Sequence, residues 1–192
     1  MLFRSPLRVG FVGRLVPIKD LLTFVRACDL ALREVPLDVR IIGPDDEDPA
    51  YAERCRQLVR ALNRDRDIRF LGMQPAGKMY QQLDVLVLTS FSEGQPLVIL
   101  EAYAAGVPAI CTDVGCCREL IEGQPGPDRD LGESGIVTRV AVPADTARAL
   151  VALARDRNRL RRCGRSALRR LNAHYRRSTM LDSYRTLYQE IL

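Results

Sequence analysis

Short apolar runs alternate with longer amphipathic stretches along this 192-residue chain. LRVGFV (7–12), DVRII (38–42), IRFL (68–71), DVLVL (84–88) and PAICT (108–112) are brief, almost continuously apolar and rich in β-branched residues. Runs of that length and make-up predict buried strands. Between them apolar residues recur at helical spacing over about 20–34, 49–63, 75–82 and 96–105. Asp20 is placed to cap the first of these, and Pro49, Pro75 and Pro96 sit near first-turn positions. Gly43, Gly72, Gly106 and Gly115 punctuate the ends, and a weaker strand, GIVTRV (135–140), follows a loop rich in Gly, Pro and acid at 122–134. Strands apolar on both sides, alternating with helices, predict an α/β fold: a parallel sheet with helices on both faces. Such sheets bind ligands at the carboxyl ends of their strands, where strand order reverses. Residues 145–192 keep helical spacing without strands, so the expected organisation is one domain with a core over 1–144 and a helical tail.

Composition narrows the class. The chain is 47% apolar and 28% charged, which excludes disordered, collagenous and coiled-coil classes. The size suffices for a core without disulfides or metal. No apolar run approaches a membrane span, and MLFRSPLRVGF lacks the layout of a signal peptide. The expectation is a soluble cytoplasmic protein, or a piece of one. Its 29 basic residues are 27 Arg with Lys19 and Lys78 alone as lysines. From Arg148 onward 12 Arg face three acids, a balance of +9 after a body of −4. That tail reads either as a solvated Arg-rich face or as a surface for an anionic partner. Six cysteines form no CxxC pair, and Cys28, Cys55 and Cys111 fall in apolar segments as small core residues. His174 is the single histidine and lies in an Arg-rich helical stretch, so it reads as a surface residue and His-based triads or metal sites have little material.

A sheet of this kind suggests a nucleotide, yet no GxGxxG follows the first strand. GMQPAGKM (72–79) comes near a P-loop, but Met79 stands where a Ser or Thr would hold magnesium, and Pro75 removes a backbone donor. A turn into the following helix is the better reading. TSFSEGQPLVILEAYAAGVP (89–108) carries more. It leaves a strand and opens a helix at Pro96, which puts Glu93 in the loop and Glu101 about five residues into the helix. Helical side chains lean toward the amino end, so Glu101 can point at a ligand resting there. Gly94 permits close backbone approach, and the amides of Leu97 and Val98 are free for an anion. Carboxylates beside them suit sugar hydroxyls. After the first strand, Gly13-Arg14 and Lys19 bracket a turn with no acid before Asp20, a pair of cations fit for phosphate oxygens.

These segments together resemble a family. GRLVPIKD, IIGP, FLG, QQLDVLVLTS, SEGQPLVILEAYAAGVPAICTDVG and CRELI, in that order, are similar to the C-terminal domain of family 4 retaining glycosyltransferases, which have the two-domain GT-B fold. VPIKD, GPDDEDPAY, SEGQPLVILEA and TDVGCCRELI resemble most the branch that serves bacterial Pel exopolysaccharide systems. The resemblance implies a Rossmann-like donor domain whose acceptor-binding N-terminal partner is absent from this chain. It implies that Arg14 and Lys19, next to Gly13, hold the diphosphate of a UDP-sugar such as UDP-glucose and stabilise departing UDP. Glu101 would bind ribose, backbone at Gly72 and Met73 would meet the base, and Glu93 with Gly94, Gln95, Pro96, Leu97 and Val98 would contact the sugar and distal phosphate. Gln95 and Pro96 depart from the family's usual aromatic and Gly at those positions. No cofactor or metal is expected. A polysaccharide acceptor and the inner-membrane components of the Pel system are the implied partners, with a location in the cytoplasm at the periphery of that membrane. The final helix, with Tyr175, Met180, Leu181, Tyr184, Leu187, Tyr188 and Leu192, resembles the segment that packs across the partner domain; packing on its own domain is the plainer possibility. The competing function is a non-enzymatic module that grips an anionic partner through the tail. Nucleic acid is disfavoured, because the tyrosines follow packing spacing instead of interleaving with the arginines.

Overall fold

A computed structural model describes residues 5–191, so the first four residues and Leu192 of the tail stripe lie outside the described residues. Six strands form one parallel sheet: β1 (Leu7–Val12), β2 (Leu37–Ile42), β3 (Ile68–Gly72), β4 (Val85–Leu88), β5 (Ala109–Thr112) and β6 (Gly135–Thr138), in the order β3-β2-β1-β4-β5-β6. The connecting helices are α1 (Leu21–Leu32), α2 (Pro49–Ala61), the one-turn α3 (Ala76–Met79), α4 (Leu97–Ala104) and α5 (Cys117–Glu122). Three more follow the sheet: α6 (Pro143–Arg155), α7 (Arg157–His174) and α8 (Arg177–Ile191).

Two hydrophobic layers hold the sheet between helices. On one face Leu7, Val9 and Phe11 of β1 join Val85 and Val87 of β4 under α1, α2 and α6. On the other, Leu86 and Leu88 of β4 join Cys111 of β5 beneath α4, α5 and α7. The alternation follows from the period of two along a strand, and burial of both faces explains why these strands read as continuous apolar runs. Cys28, Cys55 and Cys111 are buried and unpaired, as small core residues. Among the described residues no helix is long and apolar enough to cross a membrane.

Several elements differ from expectation. The helix expected over 75–82 is a single α turn followed by a 3-10 turn at Tyr80–Gln82, since Pro75 is extended (ψ 123°) and the chain must straighten into β4. The last strand stops at Thr138 because Ala141 turns left-handed (φ 55°) before Pro143 opens α6. CRELIE forms α5, a helix the sequence reading did not draw, ended by Gly123 at φ 83°.

The tail divides in two. α7 buries Leu160, Cys163, Gly164, Ala167 and Arg170 against the domain. Arg170 is 0% exposed, so it is not part of a solvated face. Its Nε donates to Asp128 Oδ1 at 2.7 Å, and its two terminal nitrogens donate to the carbonyls of Leu120, Ile121, Asp128 and Gly132 and to the Ser134 hydroxyl. Gly123 makes room, because a Cβ there would come within 2.6 Å of the guanidinium. The acid-rich loop after α5 is thus wrapped around one arginine. Although burial opposes it, the Gln124 amide and Arg170 hold the Asp128 carboxyl below the usual range. α8, by contrast, is exposed from Arg177 to Glu190, so of the described stripe residues only Tyr175, just before the helix, packs on its own domain, against the second apolar layer. His174 is exposed, as expected, with its Nε2 3.5 Å from Asp128.

Candidate functional site

The sheet order makes β1 and β4 neighbours while their further partners lie on opposite sides. Loops leaving these two strands therefore diverge and leave a crevice at their carboxyl ends. The loop after β1 ends in a 3-10 turn, Pro17–Lys19. It closes on Asp20, whose left-handed backbone (φ 45°) lets the carboxylate accept from the Thr23 amide and start α1. The loop after β4 is tied to that turn: the Phe91 amide donates to Ile18 O at 2.9 Å, and the Thr89 hydroxyl donates to Asp20 O at 2.9 Å. From β5, the Thr112 hydroxyl donates to Ser90 O at 2.7 Å.

This stitching brings Lys19 and Glu93 together. Lys19 Nζ lies 2.6 Å from Glu93 Oε1, with side chains 19% and 10% exposed. The Ser90 hydroxyl donates to the same oxygen at 2.6 Å. Glu93 Oε2 has no partner among the described residues. A pair this sheltered is weakly screened. Gly115, in the loop after β5, completes the wall: its φ is 52°, and a Cβ there would stand 2.1 Å from Glu93 O. The neighbouring Cys116 amide donates to Gly94 O at 3.1 Å. Sequence reasoning took Gly115 as punctuation and passed over Ser90 and Thr89, whose hydroxyls carry no spacing signal.

α4 begins with Pro96 as its cap residue and no side-chain cap, so among the described residues no side chain occupies the amides of Leu97 and Val98. Partial positive charge collects there. Glu101 is the fifth residue of α4 and exposed, and its Oε2 accepts from the Tyr80 hydroxyl at 2.6 Å. Burial first, and then this carboxylate, push the Tyr80 hydroxyl well above its ordinary range, so it stays a donor. Gly72 takes a left-handed turn (φ 61°) at the end of β3, its carbonyl accepts from the Gly43 amide at 3.0 Å, and Met73 beyond it is 74% exposed.

Arg14 does not join Lys19. It is exposed and points at Glu47, with Nη1 2.7 and 2.5 Å from the two carboxylate oxygens. The structure thus unites Lys19, Ser90 and Glu93, orients Glu101 through Tyr80, and leaves Arg14 on a separate acid of the same rim. Gly94 and Gln95 are exposed beside them, while Pro96 is buried.

Comparison with known proteins places the chain among relatives. The family profile described as glycosyl transferases group 1 matches residues 6–156. The D-inositol 3-phosphate glycosyltransferase of Nocardia farcinica is 36% identical over 167 residues, covering 83% of this chain and 35% of that protein. The chain therefore spans about a third of the length of such curated relatives. Among solved structures, HepE of Anabaena, in complex with UDP and glucose, superposes with a TM-score of 0.82 at 19% identity over 96% of this chain and 48% of its own. The C-terminal domain of LpcC, a group 1 glycosyl transferase family protein from Francisella tularensis, gives 0.76 at 23% identity, over 89% of this chain and 87% of its own. Likeness at that level of identity establishes the fold.

Proposed function

The chain belongs to the glycosyl transferases group 1 family, and from that premise we propose that it is the donor-binding half of a retaining hexosyltransferase using a UDP-sugar of the UDP-glucose type. The observation that carries this reading is the Lys19–Glu93 contact at the crevice between β1 and β4, beside the uncapped start of α4. A diphosphate laid across that start meets helix amides on one side and the Lys19 ammonium on the other. As the bond between sugar and UDP breaks, negative charge gathers on the departing diphosphate. Lys19 and Arg14 stabilise it there, without a metal. Arg14 must leave Glu47 to do so, a small cost because an exposed pair is worth about 0.2–1 kcal/mol. Glu93 accepts hydrogen bonds from the transferred sugar, and Glu101, steadied by Tyr80, accepts from the ribose hydroxyls. Gly13, Gly94, Gln95 and Pro96 shape the pocket between them, and backbone at Gly72 and Met73 borders the base.

The narrower assignment is to the Pel exopolysaccharide branch, with PelF as the protein it resembles. The support is the text VPIKD, GPDDEDPAY and TDVGCCRELI. On this reading the polysaccharide acceptor is held by a second, N-terminal domain, and the apolar stripe of α8 packs against that domain. The protein then works in the cytoplasm, beside the inner-membrane components of the secretion system.

Calorimetry with UDP tests the site. The wild-type chain should bind UDP, Arg14→Ala with Lys19→Ala should lose at least about tenfold in affinity, and EDTA should change nothing. Equal binding by both proteins removes the site. Glu101→Ala should weaken UDP while leaving pyrophosphate unaffected, since only the former carries a ribose.

A further inference from the structure

A second hollow, of about 520 Å³, lies at the opposite end of the sheet, where β1, β4 and β5 begin. Its floor is apolar, with Leu83, Val107 and Leu160. α7 comes close there because Gly164 has no side chain: a Cβ would meet Gly106 O at 2.4 Å. The rim is basic. Arg8, Arg161 and Arg165 line it against a single lining acid, Asp84. That acid is already engaged, accepting from the Arg8 amide and guanidinium at 2.8 Å each and lying 3.8 Å from Arg157. Arg161 donates to Asn158, which is neutral, at 2.6 Å. Arg165 has no hydrogen bond or ion pair among the described residues.

Two guanidinium groups one helical turn apart thus stand uncompensated over a partly apolar cavity of small-ligand size. A carboxylate would fill one fork. A phosphoryl group, with oxygens to spare, can take both. We propose that this hollow binds a phosphate ester, its phosphoryl group between Arg161 and Arg165 and its organic part on Leu83, Leu160 and Leu168. The hollow lies apart from Lys19 and Glu93, although Tyr80, whose hydroxyl steadies Glu101, also borders it. Leu168, 41% exposed at the rim, allows two sources with this chemistry, a phospholipid headgroup or a soluble phosphate ester.

The two arms of one experiment distinguish them, both run with UDP present so that the carboxyl-end crevice is filled and again without it. The soluble arm titrates glycerol 3-phosphate into the chain by calorimetry at about 50 mM salt. The lipid arm floats the chain with vesicles holding about one-third phosphatidylglycerol, against phosphatidylcholine alone. Arg161→Gln with Arg165→Gln should weaken binding at least about tenfold. Arg162→Gln with Arg169→Gln removes the same charge from α7 outside the hollow and should leave binding within about twofold. Glycerol 3-phosphate binding lost in the first variant alone supports the site, with a soluble ligand where vesicles do not bind and with the phosphoryl chemistry common to both sources where they do. Vesicle binding without glycerol 3-phosphate binding, lost in the same way, supports it with a lipid source. Binding of neither probe, or equal loss in the two variants, overturns it.

Discussion

Lys19–Glu93 and Arg170–Asp128 are both short ion pairs sheltered by protein, at 2.6 and 2.7 Å, and they sit at opposite levels of saturation. Arg170 spends its side-chain donors on the carbonyls, hydroxyl and carboxylate of one loop, and nothing remains for a visitor. Among the described residues Lys19 reaches a single acceptor and Glu93 keeps an oxygen without a partner, and both border a crevice. A saturated buried arginine is a clamp. An ammonium with one partner among the described residues, beside an uncapped helix start, retains donors for a ligand. Saturation of donors, more than burial or distance, separates the pair that holds the fold from the pair that serves the site.

The comparison can be broken in four ways, beginning with the largest effect. Arg170→Ala leaves Asp128 without its counter-ion and should cost about 3–5 kcal/mol, read as a lower urea midpoint. Acidification comes next. Asp128 titrates below its unfolded-state value, so the stability it contributes is present above that value and drains away as pH falls through the depressed one. Urea midpoints of the wild type should fall over that window, while those of Asp128→Asn, lower at neutral pH, stay flatter. Lys19→Met with Glu93→Gln removes both charges of the other pair and should shift stability by less than about 1.5 kcal/mol, yet abolish detectable UDP binding in calorimetry. A large loss of stability there would put this pair with the clamps. The smallest effect is that of Tyr80→Phe, which removes one donor to Glu101 and should weaken UDP about two- to tenfold at unchanged fold.

The sheet was legible because burial on both faces writes itself as uninterrupted Val, Ile and Leu, and all five strong runs become strands. So was the placement of Glu93 and Glu101 around the start of α4, since strand, Gly-x-Pro and helix follow one another in the text. Arg170 was not legible. Along the chain it is one arginine among many in the tail, and its burial depends on a loop some forty residues earlier that closes over it. Arg14 shows the converse: its type and place suit phosphate, but its guanidinium is held by Glu47, on the loop after β2 where Gly43 closely approaches Gly13. Tyr80 gave no signal either, because its hydroxyl meets Glu101 across an element boundary twenty-one positions away.

The central place of β1 has a consequence for the order of assembly. Its pairing with β2 joins Val9 to Val39, whereas its pairing with β4 joins Val9 to Val85, across a much longer stretch of chain. Closing the longer loop costs more chain entropy and waits on more of the polypeptide. On the ribosome β3-β2-β1 can therefore gather first, and the crevice between β1 and β4 forms only when the second half of the sheet docks. The Lys19–Glu93 contact bridges the two halves of the sheet, so it exists only once β4 has docked beside β1.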